Sequence, residues 1–197
     1  MTSKEEPFLN TPNKLTVLRV LLVPLFLVFL LVGQIPAHYL LALIVFVVAS
    51  ATDSLDGHLA RKNDQVTTFG KFLDPLADKI LVLSAMISFI EIGLCGSLVV
   101  VIMIAREFMV TSLRLVAVSG DGTVIAAGLL GKVKTVVQMV SVVLILILCM
   151  LSEWSILPAG ISVPVIAESL MWISAILSVV SGAQYNWKNR AAIGQLK

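Results

Sequence analysis

Asp53-Ser54-Leu55-Asp56-Gly57-His58-Leu59-Ala60-Arg61, then eight residues, then Gly70-Lys71-Phe72-Leu73-Asp74-Pro75-Leu76-Ala77-Asp78 sets four carboxylates between two strongly apolar flanks. Reduced to its fixed positions the stretch is D-x-x-D-G-x-x-A-R-x8-G-x-x-x-D-x-x-x-D. An ionised Asp near the centre of a bilayer costs about 2.5–3.5 kcal/mol on insertion scales, so such a residue needs a function and a partner. For four clustered carboxylates the simplest partner is a divalent cation. Eight specified positions at roughly one in twenty each would recur by chance on the order of 10⁻¹⁰ per starting point. Coincidental ion pairing is therefore set aside, and the stretch is a candidate metal site inside a membrane protein.

The rest of the chain supplies the membrane. Of 197 residues, 58% are hydrophobic and 13% charged, against about one quarter charged in soluble domains. Six apolar runs of spanning length are expected near residues 15–33, 37–57, 73–93, 97–117, 133–151 and 164–184, each about 20 residues long. One helical membrane domain over 1–197, with 1–14 as a cytoplasmic or interfacial segment, uses the whole length. The first run is expected to be retained as a span. It is too long for a signal-peptide core and lacks a small-residue cleavage site before the second run. Cys95 and Cys149 have neither CxxC spacing nor His neighbours, so they are read as small apolar residues. A formal net charge of +2 gives no reason to expect a nucleic-acid partner.

Charge placement orients the bundle. With the start of the chain inside, the cytoplasmic segments are 1–14, 58–72, 118–132 and 185–197. Every Lys and Arg lies in one of them or within about a dozen residues of one. The opposite segments, 34–36, 94–96 and 152–163, hold none; the charges in or near them are Glu91, Glu153 and Glu168. The four Asp residues therefore open to the cytoplasm. Asn13-Lys14-Leu15-Thr16-Val17-Leu18-Arg19 has the pattern of a short interfacial helix running into the first span. Two readings stand for it: anchoring by snorkelling of Lys14 and Arg19, or ligand contact by Asn13, Thr16 and Arg19.

On helices, Asp53 and Asp56 are one turn apart, and Asp74 and Asp78, four apart, share a face. All-oxygen ligation suits Mg²⁺ or Mn²⁺, one ion or two, with Ca²⁺ also compatible; it argues against Zn²⁺, which favours the His and Cys missing from the fixed positions. Gly57 and Ala60 leave a bare surface on which a phosphate or nucleotide can approach the backbone. Gly70 either turns the loop or allows close helix packing. Arg61 offers a planar fork to phosphate oxygens. Carboxylates for metal, metal for phosphate and Arg for phosphate describe a phosphoryl-transfer site.

At these residues the chain resembles the CDP-alcohol phosphatidyltransferase family, matching its signature at all eight fixed positions. The resemblance implies a six-helix integral membrane enzyme that moves a phosphatidyl group from a CDP-linked lipid to an alcohol and releases CMP. It also implies a homodimer in the bacterial inner or plasma membrane, and assigns the last Asp, Asp78, as general base. Asp53, Asp56, Asp74 and Asp78 would hold metal, and Asp53, Asp56, Gly57, Ala60, Arg61 and Gly70, with Asn13, Thr16 and Arg19, would hold the CDP-lipid. The flanks, including Asn13–Arg19, Ala105-Arg106-Glu107-Phe108-Met109-Val110-Thr111-Ser112-Leu113-Arg114 and Gly131-Lys132-Val133-Lys134-Thr135, are similar to members that take glycerol-3-phosphate. His58 stands where an aromatic Tyr is expected, and Lys4-Glu5-Glu6 has no counterpart in the pattern.

The cations argue for that acceptor on their own. Arg106 and Arg114 are about two helical turns apart in the fourth run, and Lys132 and Lys134 enter the fifth. Cations inside or beside spans need an anion. Glycerol-3-phosphate brings a phosphate that serine and inositol lack, so Arg106, Thr111, Arg114, Lys132 and Lys134 are its candidate contacts. The competing readings are snorkelling lysines and ion pairs such as Arg106–Glu107. The fixed positions of the motif include no Ser, Cys or His nucleophile, which favours direct displacement over a covalent intermediate. Alternatives are another acceptor (serine, inositol or phosphatidylglycerol) or, in a different class, a membrane transporter. The transporter is disfavoured because all the acid falls at one end of two spans, leaving the outer half of any pathway without polar groups.

Overall fold

Apolar runs of this length leave the backbone few external hydrogen-bond partners, and a helix satisfies its own. The structure, a computed structural model, describes the backbone of residues 11–62, 68–120 and 128–190 and the side chains of 17–52, 79–113 and 128–190. Six helices run in order: α1 Thr11–Leu31, α2 His38–Lys62, α3 Thr68–Glu91, α4 Ser97–Gly120, α5 Leu129–Glu153 and α6 Val163–Lys188. No strand occurs among the described residues. Each helix overlies one of the six expected apolar runs. Two of them, α5 and α6, are long and apolar enough among the described residues to cross a membrane, while α1 and α2 carry shorter apolar stretches, Val17–Leu31 and His38–Thr52.

Around the motif the helices run past the expected ends. α2 continues beyond residue 57 to Lys62, and α3 begins at Thr68 rather than near 73. Apolar content marks where a chain can enter lipid, but Leu59-Ala60-Arg61-Lys62 are all strong helix formers and carry the helix on past that point. At the start of the chain no separate interfacial helix precedes α1 within the described residues. Residues 11–19 are the opening turns of α1 itself.

The chain divides into two compact units, residues 1–88 with 146–156, and 89–145 with 157–197. In the first unit α1 packs on α2. Val23, Phe26 and Leu30 recur at helical spacing and are buried, as are Ala42, Phe46 and Ala49. The Phe26 and Phe46 rings meet at 5.7 Å with a 51° tilt, the offset geometry aromatic pairs favour. His38 Nδ1 lies 3.1 Å from the Phe29 carbonyl oxygen, tying the start of α2 to the end of α1. α5 ends in this unit with Ser155 at φ 56°. The Ile156 amide donates to Leu151 O and the Ser155 amide to Ser152 O, both at 3.0 Å, which caps the last carbonyls in a Schellman turn.

In the second unit α4 packs on α6. Val99, Met103, Arg106 and Val110 form the buried row of α4. On α6 the buried row is Ala167, Met171, Ser174, Ser178, Ser181 and Tyr185, with Ala175 and Gly182 beside it. Tyr185 thus points inward, while Trp187, two residues on, is exposed. Gly93 adopts φ 74° in a second Schellman turn, with Leu94 donating to Phe89 O at 2.8 Å and Gly93 to Ile90 O at 3.1 Å. Glu168 of α6 fastens the following loop by accepting from the Gly96 amide at 2.6 Å and from Trp172 Nε1 at 2.8 Å.

Candidate active site

The Asp motif falls where the helices overrun their apolar stretches. Asp53, Asp56, Gly57, Ala60 and Arg61 lie in the last turns of α2, and Gly70, Asp74 and Asp78 in the first turns of α3. The backbone therefore gives both carboxylate pairs the helical register expected for them, one turn apart within each pair. Gly70 sits inside α3, so of its two readings the loop turn does not apply. The side chains of this motif, and those of Asn13, Thr16 and Arg114, lie outside the described residues. The donor chemistry of the motif, four carboxylates and no thiol or imidazole in the fixed positions, fits a hard divalent cation.

Arg19 lies on α1 and is 2% exposed. A snorkelling anchor would carry its guanidinium to solvent, so of the two readings this burial favours a role inside the protein.

The second unit brings together two of the five residues expected to hold the acceptor. Arg106, on α4, turns its guanidinium across the α6 face. Its Nε donates to the Ser178 carbonyl oxygen at 2.9 Å and its Nη2 to the Ser181 hydroxyl at 2.7 Å. Nη1 donates to Glu107 Oε1 at 3.0 Å. The same carboxylate oxygen accepts from Lys134 Nζ of α5. Arg106 and Lys134 are both buried, so α4 and α5 converge two cations on one carboxylate. The Arg106–Glu107 ion pair weighed from sequence is present, and Lys134 joins it. Lys132 and Thr111 are placed differently. Lys132 is exposed, and Thr111 donates its hydroxyl to the Glu107 carbonyl oxygen one turn back at 2.7 Å.

Beneath this cluster runs a seam of buried polar side chains. Gln138 and Ser141 follow Lys134 along α5, and Ser174, Ser178 and Ser181 follow one another along α6. The Ser141 and Ser174 hydroxyls are 3.0 Å apart. Sequence reasoning named no site residue of α6, although the signal was there. Serines at i, i+4 and i+7, ending at Gly182, give an otherwise apolar helix one small polar stripe.

Comparison with known proteins extends these observations. The family model for CDP-alcohol phosphatidyltransferase matches residues 9–180. A CDP-diacylglycerol–glycerol-3-phosphate 3-phosphatidyltransferase of Bacillus subtilis (strain 168) is 41% identical over 195 residues, covering 93% of this chain and 97% of the relative. Proteins of the same name from Rickettsia felis and Shigella flexneri serotype 5b are 36% and 37% identical, each over 89% of this chain and more than nine-tenths of the relative. With its signature, its helical architecture and this match over most of its length, the chain belongs to the CDP-alcohol phosphatidyltransferase family.

Proposed function

We propose that the chain transfers the phosphatidyl group of CDP-diacylglycerol to glycerol-3-phosphate, forming phosphatidylglycerophosphate and CMP. The observation that carries the choice of acceptor is the buried convergence of Arg106 and Lys134 on Glu107. Two cations held inside a helical unit give a phosphate-bearing alcohol a binding site, while serine or inositol has no phosphate to meet them. The names of the relatives from Bacillus, Rickettsia and Shigella agree with this acceptor.

In this reading the CDP-lipid enters from a bilayer that the six helices span, with its nucleotide end on the bare Gly57/Ala60 surface of α2 and Arg61 on its phosphate oxygens. Asn13, Thr16 and Arg19 of α1 complete its contacts. Asp53, Asp56, Asp74 and Asp78 would hold Mg²⁺ or Mn²⁺, which when bound neutralises pyrophosphate charge and stabilises the departing CMP. Arg106, Thr111, Arg114, Lys132 and Lys134 hold the acceptor's phosphate and so orient its primary hydroxyl. Asp78 takes the hydroxyl proton as the oxygen attacks the lipid-side phosphorus. The new P–O bond forms as the bond to CMP breaks, and CMP carries away the electron pair. The reaction faces the cytoplasm, and the working assembly is a homodimer.

One assay tests the reading. The purified protein, in mixed micelles with CDP-diacylglycerol radiolabelled in the cytidine, is expected to release CMP on addition of glycerol-3-phosphate and not of serine, inositol or phosphatidylglycerol. Release driven by one of those three instead would replace the acceptor. Absence of release with all four would point away from a transferase of this kind.

A further inference from the structure

Arg106 does not stand alone on α4; its position is dictated by α6. A Cβ added at Gly182 would lie 3.1 Å from Arg106 Cγ, 3.3 Å from its Nε and 3.7 Å from its Cδ. The first two are closer than the roughly 3.5–4.0 Å at which non-bonded carbon atoms settle. The stem of Arg106 therefore lies directly on the glycine. Immediately beyond it, the Ser178 carbonyl takes the Nε–H at 2.9 Å and the Ser181 hydroxyl takes an Nη2–H at 2.7 Å. A guanidinium carries five N–H donors in a fixed plane. Glu107 takes one from Nη1, so the three contacts leave one N–H on each terminal nitrogen. Those two are what an incoming phosphate can use.

We propose that Ser181 and Gly182 of α6 are positioning residues for the acceptor: they set the depth and the roll of the Arg106 guanidinium, so that its remaining N–H pair is presented to the phosphate. The inference rests on the reading that Arg106 binds the phosphate of glycerol-3-phosphate. Neither α6 residue needs to touch substrate. Gly182 supplies the room in which the stem lies flat, and Ser181 the oxygen that fixes rotation about the last bonds. Because Arg106 is only 8% exposed, a stem displaced by a methyl group has little free space in which to recover the same geometry. Misplacement well short of an ångström is enough to weaken a directional, charge-assisted contact.

The test is a double-mutant cycle on kinetic constants, with Gly182→Ala and Ser181→Ala each made in the native chain and in Arg106→Ala. In the native background each is expected to raise KM for glycerol-3-phosphate about five- to tenfold while leaving KM for CDP-diacylglycerol within about twofold. In the Arg106→Ala background each should have no further effect, since the residue through which it acts is gone. Ala is the better helix former, so a glycine with no positioning role would give a Gly182→Ala protein of equal or higher Tm and unchanged KM. That result, or equal rises in both KM values, or additivity with Arg106→Ala, would overturn the proposal. Ser181→Ala removes an acceptor without adding bulk, so it decides the matter even if Gly182→Ala does not fold. If Arg106→Ala alone leaves KM for glycerol-3-phosphate unchanged, the phosphate-binding reading fails and this inference with it. If Arg106→Ala raises KM and neither α6 variant does, only the inference fails.

Discussion

Lys134 on α5 and Glu107 on α4 form an ion pair across 27 residues of sequence, and the carboxylate oxygen that receives Lys134 also receives Arg106. Glu107 thereby ties α4 to the opening turns of α5 within one unit. It also holds two cations at one point, where their mutual repulsion would otherwise push them apart. A single carboxylate between two cations is a structural brace, and in the proposed reaction it keeps both cations where the acceptor phosphate arrives.

Glu107→Gln keeps the shape and removes the charge. Taking one partner from a buried pair typically costs about 3–5 kcal/mol, and the Glu107 side chain is 16% exposed, so a loss of roughly 2–3 kcal/mol is expected after that screening. Denaturation of the purified protein in detergent measures it. A variant as stable as the native chain would show that the pair does not brace α4 to α5.

Asp78→Asn should preserve substrate binding and lower turnover by at least about 10²-fold, the low end of what a positioned general base contributes. Asp53→Asn and Asp56→Asn should instead respond to excess Mg²⁺ or Mn²⁺ and recover part of their rate. Titrating metal into all three variants separates the roles. Equal rescue of Asp78→Asn by metal would mean that it is a ligand and no base.

Among the proposed acceptor contacts, Lys134→Ala and Arg114→Ala should raise KM for glycerol-3-phosphate about tenfold or more, since each charge-assisted phosphate contact contributes on the order of 1.5–3 kcal/mol. KM for the CDP-lipid should change little. Arg114→Lys should not restore the native value if that contact is bidentate, because an ammonium cannot present a planar fork. If these variants lose only thermal stability and keep their KM, the cations are structural and the acceptor assignment falls.

Cys95, in the loop between α3 and α4, gives a pH signature. Burial, with a smaller contribution from Glu168, pushes its thiol up to about 11 from its ordinary value of 9.0. At pH 8 its thiolate fraction is then on the order of 10⁻³, and iodoacetamide should label the folded protein about 100-fold more slowly than the denatured one. The sign for stability follows. The unfolded thiol ionises first, so stability is unaffected below about pH 9 and falls as pH rises toward about 11. Rapid labelling at pH 8 without denaturant would show that the thiol is neither buried nor held protonated.

The sequence alone was enough for six helices and for the helical register of the motif, because both are local. Unbroken apolar length decides where a helix can lie in lipid, and the spacing of Asp53, Asp56, Asp74 and Asp78 decides which carboxylates share a face once the helix exists. It placed Arg106 and Lys134 in one functional group from charge alone. It did not reveal that Lys132 is exposed, that Tyr185 turns inward, or that α2 and α3 run on through the motif to Lys62 and from Thr68. Those outcomes depend on which face of each helix finds a neighbour, and apolar residues on every side of these helices carry little of that information. The seating of Arg106 on Ser178, Ser181 and Gly182, more than 70 residues away, was decided by tertiary structure. A glycine and two serines have no chemistry that predicts a partner. Only the packing of α4 on α6 turns the missing side chain of Gly182 into the space that a guanidinium stem occupies.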